Sequence, residues 1–253
     1  MYKKKKVTLF IQCLVDTLYP EVGEAMVSVL ENLGLTLDCP TNQTCCGQPA
    51  FNAGHHAEAR SAAVKFIECF KDSEVIVSPS GSCVNMVKNH YPELLRDDPL
   101  LLEQARAIAE KIFEFTEFLV DVLKVEDLNA QFAGKVTYHD SCHLNRNLGI
   151  NHQPRKLLSN IRELTFVEMK APDKCCGFGG TFAVKYSDIS TAILEEKVQN
   201  IIDSGATVVT GCDMSCLMNI QGMLNRRKAP VQVMHIAQLL SGKIAGVHDG
   251  INE

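Results

Sequence analysis

Three blocks of this sequence occur twice, in the same order and at nearly the same interval. Val7-Thr-Leu-Phe-Ile-Gln-Cys13 corresponds to Val136-Thr-Tyr-His-Asp-Ser-Cys142, 129 residues on. Cys45-Cys46-Gly47 returns 130 residues later as Cys175-Cys176-Gly177. Val75-Ile-Val-Ser-Pro-Ser-Gly-Ser-Cys83 returns as Thr207-Val-Val-Thr-Gly-Cys-Asp-Met-Ser-Cys216 once a residue is inserted. A repeat on this scale limits the chain to architectures built from two copies of one unit. The expected halves are residues 1–130 and 131–253.

Each half alternates short apolar runs with helix-length stretches. Strands are expected at Val7–Ile11, Leu35–Leu37, Val75–Val77, Val136–His139, Thr165–Glu168, Thr207–Thr210 and Val231–Met234. Helices are expected at Glu21–Leu33, His55–Phe70, Arg155–Asn160, Ser187–Ser204, Ser215–Asn225 and His235–Leu240. Leu100–Lys124 reads as one long helix closing the first half, with Val125–Gly134 as linker. The fold class is therefore α/β, as two pseudo-symmetric halves, each a small, mostly parallel sheet flanked by helices. Cys13 and Cys142 then fall at strand ends and Cys83 and Cys216 just beyond strands, on the sheet edge where open α/β folds bind ligands.

Eleven cysteines in 253 residues exceed ordinary usage. The count is odd and a chain of this length needs no disulfide staples, so metal or thiol chemistry in a reducing, cytoplasmic compartment is the expectation. The formal net charge of −5 and the single basic run Lys3–Lys6 give no nucleic-acid signal. Neither a signal peptide nor a direct membrane span is expected from the apolar segments.

The second half spaces its cysteines as Cys142, 32 residues, Cys175-Cys176, 35 residues, Cys212, three residues, Cys216. The first half reads Cys13, 31 residues, Cys45-Cys46, 36 residues, Cys83, with Pro79 and Ser80 where a counterpart of Cys212 would sit. Thiolates select zinc, copper(I) or iron–sulfur clusters. Adjacent cysteines bend awkwardly onto one tetrahedral ion, whereas two neighbouring thiolates reach different irons of a cluster. Glycines at 177, 179 and 180 let backbone N–H groups approach inorganic sulfur. This favours a cluster and leaves zinc open.

These spacings resemble the duplicated cysteine-rich CCG domain of the heterodisulfide reductase type: a cysteine, then Cys-Cys, then Cys-x-x-Cys, separated by long spacers. The resemblance covers nearly the whole chain. It implies iron–sulfur binding, as [4Fe-4S], by Cys142, Cys175, Cys176, Cys212 and Cys216. It implies another cluster, or zinc, at Cys13, Cys45, Cys46 and Cys83. Two departures are visible: the final pair, Cys212 and Cys216, is one residue wider than the pattern, and Cys83 has no close partner. The implied function is an iron–sulfur electron-transfer subunit of an L-lactate (2-hydroxy acid) oxidation complex. Its partners would be other subunits of an oxidoreductase complex, including a flavin or iron–sulfur electron donor or acceptor, and a small 2-hydroxy acid. Two alternatives stay open, a cluster-based thiol/disulfide reductase subunit and a zinc-stabilised non-enzymatic protein.

His139 and His143 flank Cys142 and are the candidate catalytic residues, able to hydrogen-bond to a cluster, move protons or anchor a carboxylate. Cys69, inside a helical pattern, reads as a small buried hydrophobe. His90, His152, His235 and His248 read as structural.

Overall fold

The computed structural model describes residues 6–242; His248 and all of the basic run except Lys6 lie outside them. Two four-stranded, all-parallel sheets form. The first contains β1 (Lys6–Leu9), β2 (Thr36–Asp38), β3 (Val75–Ser78) and β4 (Ile112–Glu114) in the order β2-β1-β3-β4. The second contains β5 (Gln131–Tyr138), β6 (Arg162–Phe166), β7 (Val208–Gly211) and β8 (Gln232–His235) in the order β6-β5-β7-β8. The registers are equivalent, Val7 opposite Val75 in one sheet and Val136 opposite Val208 in the other.

Both faces of each sheet are buried, and alternate residues along each strand divide between them. Val7, Leu9, Val75 and Val77 join Val136, Tyr138 and Val208 in one apolar layer shared by the two halves. Ile76 and Ile112 face the other way, against the first half's own helices, and Val209 does the same in the second. The last helix, Ile236–Ser241, packs back on Pro20–Asn32 of the first half. The repeat therefore builds one apolar layer shared by the halves, with a further cluster outside it in each half.

The expected strands and most expected helices form within a few residues of their sequence positions. Leu100–Lys124 is the exception. It divides into a helix, Pro99–Ala109, the edge strand β4, a short helical turn Phe115–Glu117 and a π-turn Phe118–Val122. Asp98 starts the helix by accepting from the Leu101 N–H at 3.1 Å. β4 ends in a capping box, in which Glu114 accepts from the backbone of Thr116 and Glu117 while the Glu117 side chain accepts from the Glu114 N–H. The second half ends β8 in the same way, with His235 as N-cap and Gln238 as its partner. Within the expected linker, β5 already begins at Gln131.

A buried carboxylate joins the halves. Asp213, which precedes the helix Met214–Arg226, accepts hydrogen bonds from Ser80 Oγ at 2.8 Å, Ser82 Oγ at 2.8 Å and Ser82 N–H at 3.1 Å, all from the first half. Ser141 Oγ donates from its own half at 2.5 Å. Ser80 and Asp213 occupy equivalent places, each three residues before a cysteine at the start of a helix, so the two positions meet across the pseudo-symmetric axis. Burying a carboxylate costs several kcal/mol, and charge-assisted hydrogen bonds of about 1.5–3 kcal/mol each offset that. The net effect is geometric more than energetic, but removing the acceptor strands four donors. Asp213→Ala is accordingly expected to lower unfolding stability by about 2–4 kcal/mol, measured as a lower urea midpoint; an unchanged midpoint would contradict this role.

Candidate metal centre

Each sheet changes strand direction of progression between its two central strands, β1/β3 and β5/β7, and the cysteines gather at that crevice. Cys13 opens a short helix after β1, and Cys83 lies in the helix Gly81–Asn85 after β3. Cys45 and Cys46 come from the intervening loop. The sulfurs of Cys13 and Cys45 are 3.8 Å apart, and those of Cys46 and Cys83 3.4 Å apart. In the second half Cys142 follows β5, Cys216 lies in the first turn after β7, and Cys175 and Cys176 come from the loop between. There the sulfurs of Cys176 and Cys216 lie within 4.8 Å of each other. Each half thus brings together a quartet with two more accessible cysteines, Cys13 and Cys45 or Cys142 and Cys175, and two buried ones, Cys46 and Cys83 or Cys176 and Cys216.

The glycine after each cysteine pair has a specific geometric duty. Gly47 and Gly177 adopt φ of +82° and +79°, in the left-handed region. This turn aims the Gly47 N–H at Cys45 Sγ at 3.4 Å and the Gly177 N–H at Cys175 Sγ at 3.3 Å. It also brings the loop against the following helix: a Cβ on Gly177 would lie 2.5 Å from the Ser190 carbonyl oxygen, and one on Gly47 3.2 Å from that of Ala59. Gly54 has a similar φ of +84° but open space around it. Gly54→Ala should cost only the backbone strain, about 1–2 kcal/mol, and Gly177→Ala clearly more. Equal losses in urea unfolding would show that the contact with Ser190 is unimportant.

The two quartets share one cleft of about 400 Å³. Cys13, Cys45, Cys46 and Cys83 of the first half and Cys142, Cys175, Cys176 and Cys216 of the second all line it. The two cysteine-glycine loops approach each other, such that a Cβ on Gly180 would lie 3.9 Å from Pro49 Cα. Ser80 and Ser82, which hold Asp213, also line the cleft. Cysteine spacing carried no signal for Asp213 or these serines; the only hint was their position three or fewer residues before Cys83 and Cys216.

Cys212 is placed apart from its expected companions. It is fully buried in the layer between the sheets, 3.3 Å from the Tyr138 hydroxyl, and does not line the cleft. An interval of four residues across a strand end and a helix start turns Cys212 into the core and Cys216 into the crevice. His143 lines the cleft. His139 sits behind the second quartet, 1% exposed, with neither ring nitrogen hydrogen-bonded. One ring nitrogen and the sulfurs of Cys176 and Cys216 all lie within 4.8 Å of one another, a three-ligand group able to hold a metal. Burial first, then nearby Lys197, pushes the His139 imidazole down to about 3, so it stays neutral and able to ligate. Lys197 is also fully buried; burial lowers it to about 8 against the pull of Cys176 and Asp173, leaving it charged at neutral pH. Cys69, expected to be buried, is only half-buried and faces Asn42 at 3.4 Å.

No disulfide is present among the described cysteines. In each quartet the first cysteine of the adjacent pair is the favoured thiolate. Cys45 is lowered to about 3 by hydrogen bonds from Cys13 and Cys46 and by the Gly47 N–H, against burial. Cys175 is lowered to about 2 by Cys142, Cys176 and the Gly177 N–H. Cys13 and Cys142, as donors to them, are pushed up. Burial raises Cys39 and Cys69. At pH 5 the first two are therefore deprotonated and the last two protonated. Iodoacetamide added to metal-free protein at pH 5 should modify Cys45 and Cys175 first, with the preference fading as pH rises past 9; equal labelling of Cys39 and Cys69 at pH 5 would refute it.

Two half-chain units with equivalent cysteine quartets define a duplicated cysteine-rich domain protein, and residues 7–88 and 136–221 each match the cysteine-rich CCG domain model. The chain belongs to this CCG domain family, and carries two copies. It is 52% identical over 237 residues to lactate utilization protein A of an Exiguobacterium species, covering 93% of this chain and 96% of the relative. It is 48% identical over 238 residues to lactate utilization protein A of Bacillus subtilis, covering 94% of this chain and 100% of the relative. A crystal structure of a hypothetical protein from Helicobacter pylori shares the fold, with TM-score 0.60 at 12% identity; the match covers 94% of this chain and 48% of that one. No helix among the described residues is long and apolar enough to cross a membrane.

Proposed function

We propose that this protein is an iron–sulfur electron-transfer subunit serving the oxidation of a 2-hydroxy acid, L-lactate by analogy with the proteins it is similar to. The observation that carries this reading is the pair of equivalent cysteine quartets opening on one cleft. A lone structural zinc would not need the second quartet, nor a cleft reaching both. The donor set fits iron–sulfur clusters: thiol ligands in each half, a backbone N–H aimed at a ligand sulfur in each loop, and an unpartnered imidazole behind the second quartet. Cys13, Cys45, Cys46 and Cys83 would hold one cluster, and Cys142, Cys175, Cys176 and Cys216 the other, with His139 beside the latter. Cys212 is left out of the ligand set because its sulfur faces Tyr138 in the core.

The clusters supply one-electron chemistry. The chain's own part is to hold them apart from bulk water on their inner side, orient them by the two glycine turns and the Asp213 junction, and present their outer side to the cleft. Oxidation of a hydroxy acid to the oxo acid releases two electrons and two protons, so a flavin or iron–sulfur partner protein is required. We place the protein in the cytoplasm, where thiols stay reduced.

A second reading, reductive cleavage of a disulfide at the centres, is favoured by the same cleft, because a substrate there would touch both quartets. Anaerobic iron and sulfide analysis with low-temperature EPR tests the primary reading. About eight irons per chain are expected for two four-iron clusters, roughly half as many in Cys216→Ser, and the full amount in Cys212→Ser. Colourless protein carrying zinc and no sulfide would overturn both redox readings. Addition of a small disulfide that alters the EPR signals, where lactate and partner proteins do not, would favour the second.

A further inference from the structure

The two quartets are alike in ligand geometry but not in what lies behind them. The helices His56–Phe70 and Ser187–Asp203 bury equivalent faces: Ala59, Ala63, Phe66, Ile67 and Phe70 in one, Ser190, Leu194, Lys197, Val198 and Ile201 in the other. Gly47 approaches the backbone of Ala59 and Gly177 that of Ser190, which fixes the same correspondence independently. Lys197 thus stands where the first half has Phe66. The strands give a second substitution, since Phe10 donates its N–H to Val77 as His139 does to Thr210. In the first half Phe10 and Phe66 pack edge to face, ring centres 4.8 Å apart, both fully buried. In the second half an imidazole and an ammonium occupy the same two places.

Lys197 has no direct ion-pair partner among the described residues. Its Nζ donates to the carbonyl oxygens of Ala171 at 3.0 Å and Pro172 at 2.9 Å, and among the described residues no carboxylate lies within ion-pair distance of it. Nearby Asp140 is held by both guanidinium nitrogens of Arg155, at 3.0 and 2.7 Å. Asp173 faces Arg146. A buried cation stabilises every negative charge added nearby, and far more strongly than in water. The aromatic pair behind the first quartet supplies no such charge.

We propose, on the two-cluster reading above, that Lys197 makes the second-half centre the higher-potential member of the pair, so that an electron shared across the cleft comes to rest there. In the internal step one electron leaves the first-half centre, which is oxidised, and enters the second-half centre, which is reduced. No outside reagent takes part in that step. Lys197 acts as a tuning residue and touches no substrate.

The test is an anaerobic, EPR-monitored dithionite titration of cluster-loaded protein, with iron and sulfide measured on every sample. Cys46→Ser isolates the second-half signal and Cys176→Ser the first-half signal. Lys197→Met in the Cys46→Ser background is expected to lower the midpoint so that the reduced-to-oxidised ratio at fixed potential falls about tenfold, about 59 mV for a one-electron step. In the Cys176→Ser background it should change nothing. Lys197→Gln, which keeps a donor to the two carbonyls but no charge, should act like Lys197→Met, and Lys197→Arg should leave the midpoint near wild type. An unmoved second-half midpoint in a fully loaded Gln or Met variant overturns the proposal while leaving the two-cluster reading intact. Equal shifts of both centres, or a first-half centre of higher potential in the wild type, also overturn it. Absence of iron and sulfide from the wild type would remove the two-cluster reading itself.

Discussion

Asp213 occupies the place where the carboxyl ends of the two sheets meet, and the geometry of the cleft depends on what it accepts. Ser80 and Ser82 bind it from one half and Ser141 from the other. Because Ser80 and Asp213 are equivalent positions, perfect symmetry would set two carboxylates or two hydroxyls against each other. Two buried carboxylates in contact would repel, and one would have to take up a proton. One acid facing one serine gives a satisfied junction with a single charge. The quartets are held at a fixed separation because Cys83 and Cys216 begin helices that start from these two residues.

Duplication therefore gives this protein a symmetric frame with an asymmetric interior. The frame comprises the parallel sheets, the switch points, the glycine turns beside Cys45 and Cys175, and the capping boxes after β4 and β8. The asymmetry lies one layer deeper, where Phe10 and Phe66 are replaced by His139 and Lys197. The arrangement of the cysteines is dictated by the backbone and is shared; electrostatics is dictated by side chains behind them and is not. Two sites of one origin can in this way differ in electrostatics while keeping the same arrangement of cysteines.

Much of this was legible in the order of residues. Strong β-formers such as Val75-Ile76-Val77 identify their strands by themselves, and the helix expected at Glu21–Leu33 forms as Pro20–Asn32. β4 was hidden because Ile112 and Phe113 continue an apolar pattern that runs from Leu100 to Val122, and three residues are too few to establish an alternation of period two. Only pairing with β3, Ile76 opposite Ile112, makes them a strand. Cys212 was similarly opaque: its spacing to Cys216 is close to that of a ligand pair, and its direction depends on where a strand ends and a helix begins.

By itself the sequence determined that the chain is a duplicated α/β protein and that each half brings a separated cysteine, a Cys-Cys-Gly element and a later cysteine to one sheet edge. Those features follow from local periodicity and from spacing, which are properties of the chain as a line. Tertiary structure alone decided that the halves share a core, that both quartets open on one cleft, that Asp213 joins them, and that Cys212 faces inward while His139 and Lys197 stand behind Cys176. These depend on contacts between residues far apart in the chain, 133 positions for Ser80 with Asp213 and 156 for Pro79 with His235, and such contacts exist only once the two sheets have packed.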